Sequence, residues 1–116
     1  MAYGSFEDLD VWQRACRLAV EICRLLKNCK DYGFKDQMTR SAISIASNIA
    51  EGSERGSTAD FKRFLYIAKG SAAELRTQIY IATKLDTILP EENTKELIFE
   101  LKELSNMLYG LIKSLK

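Results

Sequence analysis

Apolar residues recur every three or four positions along most of the chain, which is the spacing of one face of an α-helix. Four such runs predict helices over residues 8–29, 35–51, 58–86 and 90–115. No segment shows the strict alternation of apolar and polar residues that is typical of a half-buried strand. Because the connections are short, neighbouring helices are expected to be antiparallel. The sequence therefore predicts an all-α, antiparallel up-down-up-down four-helix bundle that forms a single domain over residues 1–116.

Each predicted helix has an apolar stripe that is expected to face the core. On the first helix the stripe consists of Trp12, Ala15, Cys16, Ala19, Ile22, Cys23 and Leu26. On the second it consists of Met38, Ala42, Ile45 and Ile49. On the third it consists of Phe61, Phe64, Leu65, Ala68, Ala72, Leu75, Ile79 and Ala82. The fourth has leucines at 97, 101, 104, 108, 111 and 115.

Several residues mark the ends of these helices. The pairs with capping-box spacing are Ser5 with Asp8 and Ser57 with Asp60. Gly52 is expected to end the second helix, because glycine tolerates the left-handed conformation found after many helices. Pro90 is expected to open the fourth helix, since its fixed backbone angle suits the first helical turn.

Two helices carry a second apolar row beside the core stripe, each with seven-residue spacing. The rows are Val11, Leu18 and Leu25 on the first helix, and Tyr66, Ala73 and Tyr80 on the third. One interpretation is that wide stripes fill a deep bundle core, since single exposed apolar residues are normal. The other is that further copies of the chain cover these rows, since a contiguous exposed apolar patch usually marks an interface. Two rows on separate helices favour self-association.

The second helix also has a polar face made of small hydroxyl and amide side chains. The residues expected to meet between the second and third helices are Gln37, Ser44, Asn48 and Glu51 on one side and Ser71 and Glu74 on the other. Serine is a poor helix former because its hydroxyl competes for backbone partners, so several serines on one helix face are unusual. A hydrogen-bonded structural seam is the favoured interpretation, and a ligand or partner site is the alternative.

Composition narrows the chemistry that the chain can perform. The 116 residues hold 17 lysines and arginines, 16 aspartates and glutamates, and no histidine, which removes the commonest general base and metal ligand. Cys16, Cys23 and Cys29 have spacings that suit neither a disulfide nor a zinc site, so we interpret them as apolar filler in a reducing compartment. No apolar run approaches the roughly 18 residues of a membrane span. We therefore expect a cytoplasmic, non-enzymatic protein without cofactor or metal.

Basic residues form two small groups that are candidates for phosphate binding. They are Arg14, Arg17, Arg24 and Lys27 on the first helix, and Lys62 and Arg63 on the third. A row of cations can follow a nucleic-acid backbone, and an oligomer would repeat each group. The alternative is ordinary surface ion pairing, since Asp10 and Glu21 lie four residues from Arg14 and Arg17.

Two sequence runs resemble a known family. They are Ser44-Ile45-Ala46-Ser47-Asn48-Ile49-Ala50-Glu51-Gly52, preceded by Gln37 and Arg40, and Ile67-Ala68-Lys69-Gly70-Ser71-Ala72-Ala73-Glu74-Leu75. The N-terminal segment Phe6-Glu7-Asp8-Leu9, followed by Val11-Trp12-Gln13, agrees with them. The chain thus resembles the small bacterial four-helix-bundle proteins called 23S ribosomal-RNA intervening-sequence proteins, or S23 ribosomal proteins.

The resemblance implies a bundle that assembles as a ring-like homopentamer, with no established enzymatic activity. A related branch, the accessory variability determinants of diversity-generating retroelements, forms similar pentamers that bind nucleic acid and a reverse transcriptase. That branch is markedly basic, whereas this chain has a net charge of +1. Two functions stay open at this point. One is an oligomeric scaffold or adaptor that contacts proteins, and the other is an accessory protein that binds RNA or DNA through a repeated basic surface.

Overall fold

A computed structural model describes residues 4–85 and 88–116 of the chain. After a short 3-10 turn at Phe6–Asp8, the helices are α1 (Asp10–Leu25), α2 (Tyr32–Glu54), α3 (Thr58–Lys84) and α4 (Glu91–Ser114). Helix α2 packs on α1 and α3, and α4 packs on α3 and α1, which closes the bundle. Within the described ranges there is no strand. The prediction of an all-α chain with four helices is confirmed.

The helix ends differ from the predicted ones by a few residues, and the early start of α2 has a visible cause. Helix α1 ends at Leu25, earlier than predicted, and α2 begins at Tyr32, before the predicted residue 35. Asp31 explains the early start of α2, because its carboxylate accepts a hydrogen bond from the Phe34 N–H at 3.1 Å and caps the helix. Helix α4 begins at Glu91, directly after Pro90. The predicted end of the third helix, Asp86, lies outside the described residues.

The prediction that Gly52 ends the second helix is wrong. Gly52 lies buried inside α2, which continues to Glu54, and Gly56 instead adopts the left-handed conformation with φ of 88°. A Cβ atom on Gly52 would lie 2.6 Å from the Phe64 Cβ and 3.3 Å from the Phe61 carbonyl oxygen. Glycine is therefore required here because α2 and α3 approach closely beside their connection, and not because the chain turns.

The two capping pairs have different outcomes. Ser57 caps α3 as predicted, since its hydroxyl accepts a hydrogen bond from the Asp60 N–H at 3.1 Å. The Ser5 N–H donates to the Asp8 carboxylate at 3.3 Å, but this pair closes the 3-10 turn and not α1.

The core confirms the stripe predicted for α3 and corrects the one predicted for α1. All eight predicted α3 positions are buried. On α1 the buried residues are Val11, Ala15, Leu18, Ala19 and Ile22, whereas Cys23 is exposed and Cys16 is half-buried. The inward face of α1 is thus rotated away from the cysteines, which brings the larger Leu18 and Val11 side chains into the core.

The α2–α3 contact predicts opposite effects for two glycine substitutions. Gly52→Ala should lower the free energy of unfolding by about 1–3 kcal/mol, because the added methyl group overlaps the Phe64 side chain. Gly110→Ala, in the exposed part of α4 where nothing lies within 4 Å, should raise it by about 0.5–1 kcal/mol. Urea unfolding of both variants at one protein concentration measures the difference. Equal midpoints for Gly52→Ala and the wild type would contradict the close approach.

Candidate interaction surfaces

The apolar row on α1 does not form a surface. Val11 and Leu18 are only 4% and 2% exposed, and Leu25 packs half-buried against the same core. Our assignment of these three residues to an interface between copies is therefore corrected. For α1, the seven-residue spacing reflects a deep core, because it belongs to the inward face of the helix itself.

The apolar row on α3, in contrast to the row on α1, is exposed. Tyr66 and Tyr80 are 54% and 49% exposed, and Ala73 lies exposed between them. Two further apolar side chains, Ile67 and Ile81, are also exposed on this helix. A Cβ atom on Gly70 would have no neighbour within 4 Å. We call this surface the outer α3 face; its residues are Tyr66, Ile67, Gly70, Ala73, Tyr80 and Ile81.

Small polar side chains join α2 to α3 in what we call the polar seam. The Ser41 hydroxyl donates to the Glu74 carboxylate at 2.8 Å, and the hydroxyls of Ser44 and Ser71 are 2.9 Å apart. The Asn48 amide donates to both the carbonyl oxygen and the hydroxyl of Ser44, at 2.8 and 2.9 Å. Each of these hydroxyls thus has a protein partner, which supports the interpretation of a structural seam.

Of the residues expected in the polar seam, Glu51 lies outside it and Gln37 lies at its edge. Glu51 is exposed on α2, and its carboxylate is 3.7 Å from the guanidinium of Arg55. Gln37 is exposed, and it lines one shallow depression with Arg40, Gln78 and the seam residues Ser41, Ser44 and Glu74. The Gln78 carbonyl oxygen is buried there and has no hydrogen-bond partner in the part of the chain that the structure describes. Ser41, on the same polar face of α2, joins the seam through its hydrogen bond to Glu74.

Arg14 forms an ion pair within the protein, so it is not available to bind a phosphate. Its guanidinium donates two hydrogen bonds to the Glu100 carboxylate, at 2.9 and 2.8 Å, and its side chain is 22% exposed. The bond to Glu100 raises the pKa of Arg14 above its usual value, against the effect of burial. The partner is therefore on α4, not Asp10 as the local spacing predicted. This pair fixes the α1–α4 packing.

The other predicted basic residues differ in their burial and in whether a carboxylate lies near them. Arg63 pairs with Asp60 at 3.2 Å and lies over the Phe64 ring, 4.6 Å from its centroid. Lys62 is half-buried, one turn from the start of α3. The residues exposed on or just after α1 are Arg17, Arg24 and Lys27, and over residues 4–85 and 88–116 no carboxylate comes within 4.0 Å of them. The structure therefore does not gather the six predicted basic residues into one surface.

The chemistry of the remaining groups is limited. Cys16, Cys23 and Cys29 are free thiols, and burial raises the pKa of Cys16. No three of the His, Cys, Asp and Glu side chains in the described ranges come together as metal ligands. None of the helices formed by those residues is both long and apolar enough to cross a membrane.

Comparison with known proteins identifies similar chains. A family model described as 23S rRNA-intervening sequence protein matches residues 7–110. A solved structure of a protein of unknown function from the S23 ribosomal protein family of Bacteroides thetaiotaomicron superposes with a TM-score of 0.81 and 27% sequence identity. That match covers 89% of this chain and 98% of the other. Among curated proteins, none matches.

If the polar seam is structural, removing its amide should destabilise the bundle. Asn48→Ala should lower the free energy of unfolding by about 1 kcal/mol, because the Ser44 hydroxyl and carbonyl lose a shared donor. Ser47→Ala, at the neighbouring exposed position, is the matched control and should leave stability within about 0.5 kcal/mol of the wild type. Urea unfolding at one protein concentration compares the two. Unchanged stability together with loss of a bound partner would favour a ligand site instead.

Proposed function

Because this chain belongs to the 23S rRNA-intervening sequence protein family, we propose that it is a non-enzymatic protein whose bundles associate into an oligomeric scaffold or adaptor. The observation that supports the proposal is the outer α3 face, where Tyr66, Ile67, Tyr80 and Ile81 are all at least 42% exposed. Contiguous exposed apolar surface of this kind usually marks a protein interface. The free cysteines fit a reducing, cytoplasmic setting.

A second copy of the chain is the occupant that best fits the outer α3 face. Gly70 and Ala73 lie at its centre, and such small residues let another helix approach closely. Tyrosines at both ends supply large, rigid contact area, which is typical of interface cores. In a closed ring, every subunit buries this face against a neighbour, so its apolar side chains are shielded from water. The family resemblance suggests a pentamer.

The absence of an enzymatic role is part of the proposal. The sequence has no histidine, and the Ser44 hydroxyl hydrogen-bonds to the Ser71 hydroxyl and accepts from the Asn48 amide. A serine nucleophile needs an oriented base to remove its proton. Ser44 faces a hydroxyl and an amide, neither of which is a base at neutral pH.

Light scattering on a sizing column tests the assembly directly. The wild type should elute as a particle several times larger than the 13.2 kDa chain at micromolar concentration. Tyr66→Glu combined with Tyr80→Glu should shift it to the single-chain mass, because two charges would be buried without partners at each contact. Helix content should be unchanged, since both side chains are half-exposed in the single subunit.

The matched control places the same substitutions on exposed aromatic residues elsewhere. Tyr32→Glu with Phe99→Glu changes side chains that are at least as exposed but lie on α2 and α4, away from the outer α3 face. This variant should keep the mass of the wild type. A wild type that elutes cleanly as one chain, or a control that dissociates while the α3 variant does not, contradicts association through α3.

A second candidate function is nucleic-acid binding through a basic surface that the oligomer repeats. It is supported by cations that have no carboxylate partner in the described ranges, such as Lys69 and Lys113, which lie beside the exposed Tyr109 ring. A ring of subunits would present each basic group several times, and multivalency raises the overall affinity without new contacts.

Filter binding of the wild-type oligomer across a salt series tests this candidate. Structured RNA, duplex DNA and single-stranded RNA serve as probes. Binding should weaken steeply between about 50 and 200 mM salt, because phosphate contacts release counterions. Micromolar or tighter binding with that salt dependence supports the candidate. No salt-sensitive binding to any probe would contradict it and leave the scaffold role alone.

A further inference from the structure

A basic row, which includes the sequence candidate Lys62, follows one edge of α3. Lys62, Lys69 and Arg76 are spaced by seven residues, which places them about 10 Å apart along the helix. A straight helix drifts only about 20° over seven residues, so the three side chains leave the same edge. That edge faces α4, since the Lys69 ammonium is 6.0 Å from the ring centroid of Tyr109.

Helix α4 continues this basic surface from its own side. The Lys113 ammonium is 5.3 Å from the same Tyr109 ring. Lys102 lies seven residues before Tyr109, and therefore on the same edge of α4. The tyrosine is itself exposed, with cations on both helices beside it. We call this surface the α3–α4 basic strip; its residues are Lys62, Lys69, Arg76, Lys102, Tyr109 and Lys113.

Three acidic residues of α4, Glu96, Glu100 and Glu103, lie on its opposite edge. Glu100 and Glu103 face α1, where they contact the Arg14 guanidinium at 2.8 and 4.0 Å. Glu96 lines a depression with Glu100 and Arg17. From Glu96 to Lys113, the glutamates of α4 are therefore turned to α1 and the lysines to α3. Glu91, 18 residues before Tyr109, lies on the lysine edge but at the far end of the helix.

Some cations of the chain form ion pairs, whereas others, such as Arg17 and Arg24, form none within residues 4–85 and 88–116. Arg14, Arg40, Arg55 and Arg63 each have a carboxylate within 4.0 Å. Throughout the residues that the structure describes, none of the five cations in the α3–α4 basic strip has one. An unpaired, aligned set of cations produces a local positive potential that attracts a polyanion.

The geometry points to the α3–α4 basic strip as a binding surface for single-stranded nucleic acid. This inference rests on the nucleic-acid candidate proposed above, and it names the surface and the strand type. Cations spaced along two antiparallel helices suit a phosphate backbone, and the exposed Tyr109 ring offers a face on which a base can stack. A duplex keeps its bases stacked internally, so it could use the cations but not the ring. An anionic membrane would use an embedded apolar face, and the strip offers one tyrosine.

The α3–α4 basic strip is compatible with association through the outer α3 face. The strip lies on the α4 edge of α3, and the apolar residues lie on the adjoining outward face. A second copy seated on the outward face would leave the strip at the margin of the contact. Each subunit of a ring would then add one strip, and a strand crossing several subunits would gain avidity.

Charge removal at matched positions tests the assignment. The test variant is Lys62→Gln/Lys69→Gln/Arg76→Gln, and the control, with the same loss of charge on and beside α1, is Arg17→Gln/Arg24→Gln/Lys27→Gln. The probe is a fluorescein-labelled oligouridylate of about 16 nucleotides, followed by fluorescence anisotropy between about 50 and 200 mM salt. The test variant should bind at least about tenfold more weakly, with a salt slope smaller by about two, because each phosphate contact contributes about 0.7. The control should bind like the wild type.

Substitutions of Tyr109 test base stacking separately from the contribution of charge. Tyr109→Leu should weaken single-strand binding by about fivefold or more, whereas Tyr109→Phe should retain it, because stacking needs the ring and not the hydroxyl. Neither variant should change binding of a duplex of equal length. Circular dichroism and sizing-column mass verify that all variants fold and assemble.

Five outcomes would overturn the inference, and they are distinguishable. Equal loss in the α1 control, or no loss in the α3 variant, would place nucleic-acid binding elsewhere and leave that function standing. Preference for the duplex would contradict the single-strand assignment. Tighter binding to anionic phosphatidylserine vesicles than to the oligouridylate would make the strip a membrane contact. A wild type that binds no oligonucleotide at any salt would remove both this inference and the function on which it rests.

Discussion

The close approach of α2 and α3 is the constraint on which the rest of the bundle depends. Beside their connection, Gly52 lets Phe61 and Phe64 lie directly against the α2 backbone. Farther along, the hydrogen bond between the Ser44 and Ser71 hydroxyls requires short side chains on both helices. Large apolar residues at these levels would force the helices apart and strain the core. Because buried polar atoms must be paired, the same contact also fixes the register of one helix against the other.

That contact decides how the surface of α3 is divided. Ser71 and Glu74 are used on the α2 side, and the eight core residues face inward. Lys69 and its row lie on the α4 side, beside Tyr109. The outward part that remains, from Tyr66 to Tyr80, is apolar where an isolated bundle would place charges. The orientation of α3 about its own axis thus determines three surfaces of different chemistry. Turning the helix by one residue position would mix these surfaces.

The sequence predicts local features of this fold well and non-local ones poorly. The α3 stripe is predicted completely, because its apolar positions recur at helical spacing without interruption from Phe61 to Ala82. On α1, small cysteines and larger aliphatic residues occupy neighbouring positions, so periodicity alone misplaces the inward face. The structure shows that the inward face contains the larger Leu18, which is buried. The pairing of Arg14 with Glu100 spans 86 positions and has no local signature. Gly52 is conspicuous in the sequence, but only the neighbouring Phe64 shows why glycine is needed.

The distribution of charge carries more information about binding than its sum does. A net charge of +1 argues against a strong attraction to polyanions if charges are spread evenly. Here Glu100 and Glu103 contact Arg14 on one side of α4, which is about 10 Å wide with its side chains, while Lys102 and Lys113 lie on the other side. At physiological ionic strength the screening length is about 8 Å, so the two edges are electrically nearly independent for exposed groups. A nearly neutral chain can therefore present one locally basic surface, and an oligomer repeats that surface without raising the charge per subunit.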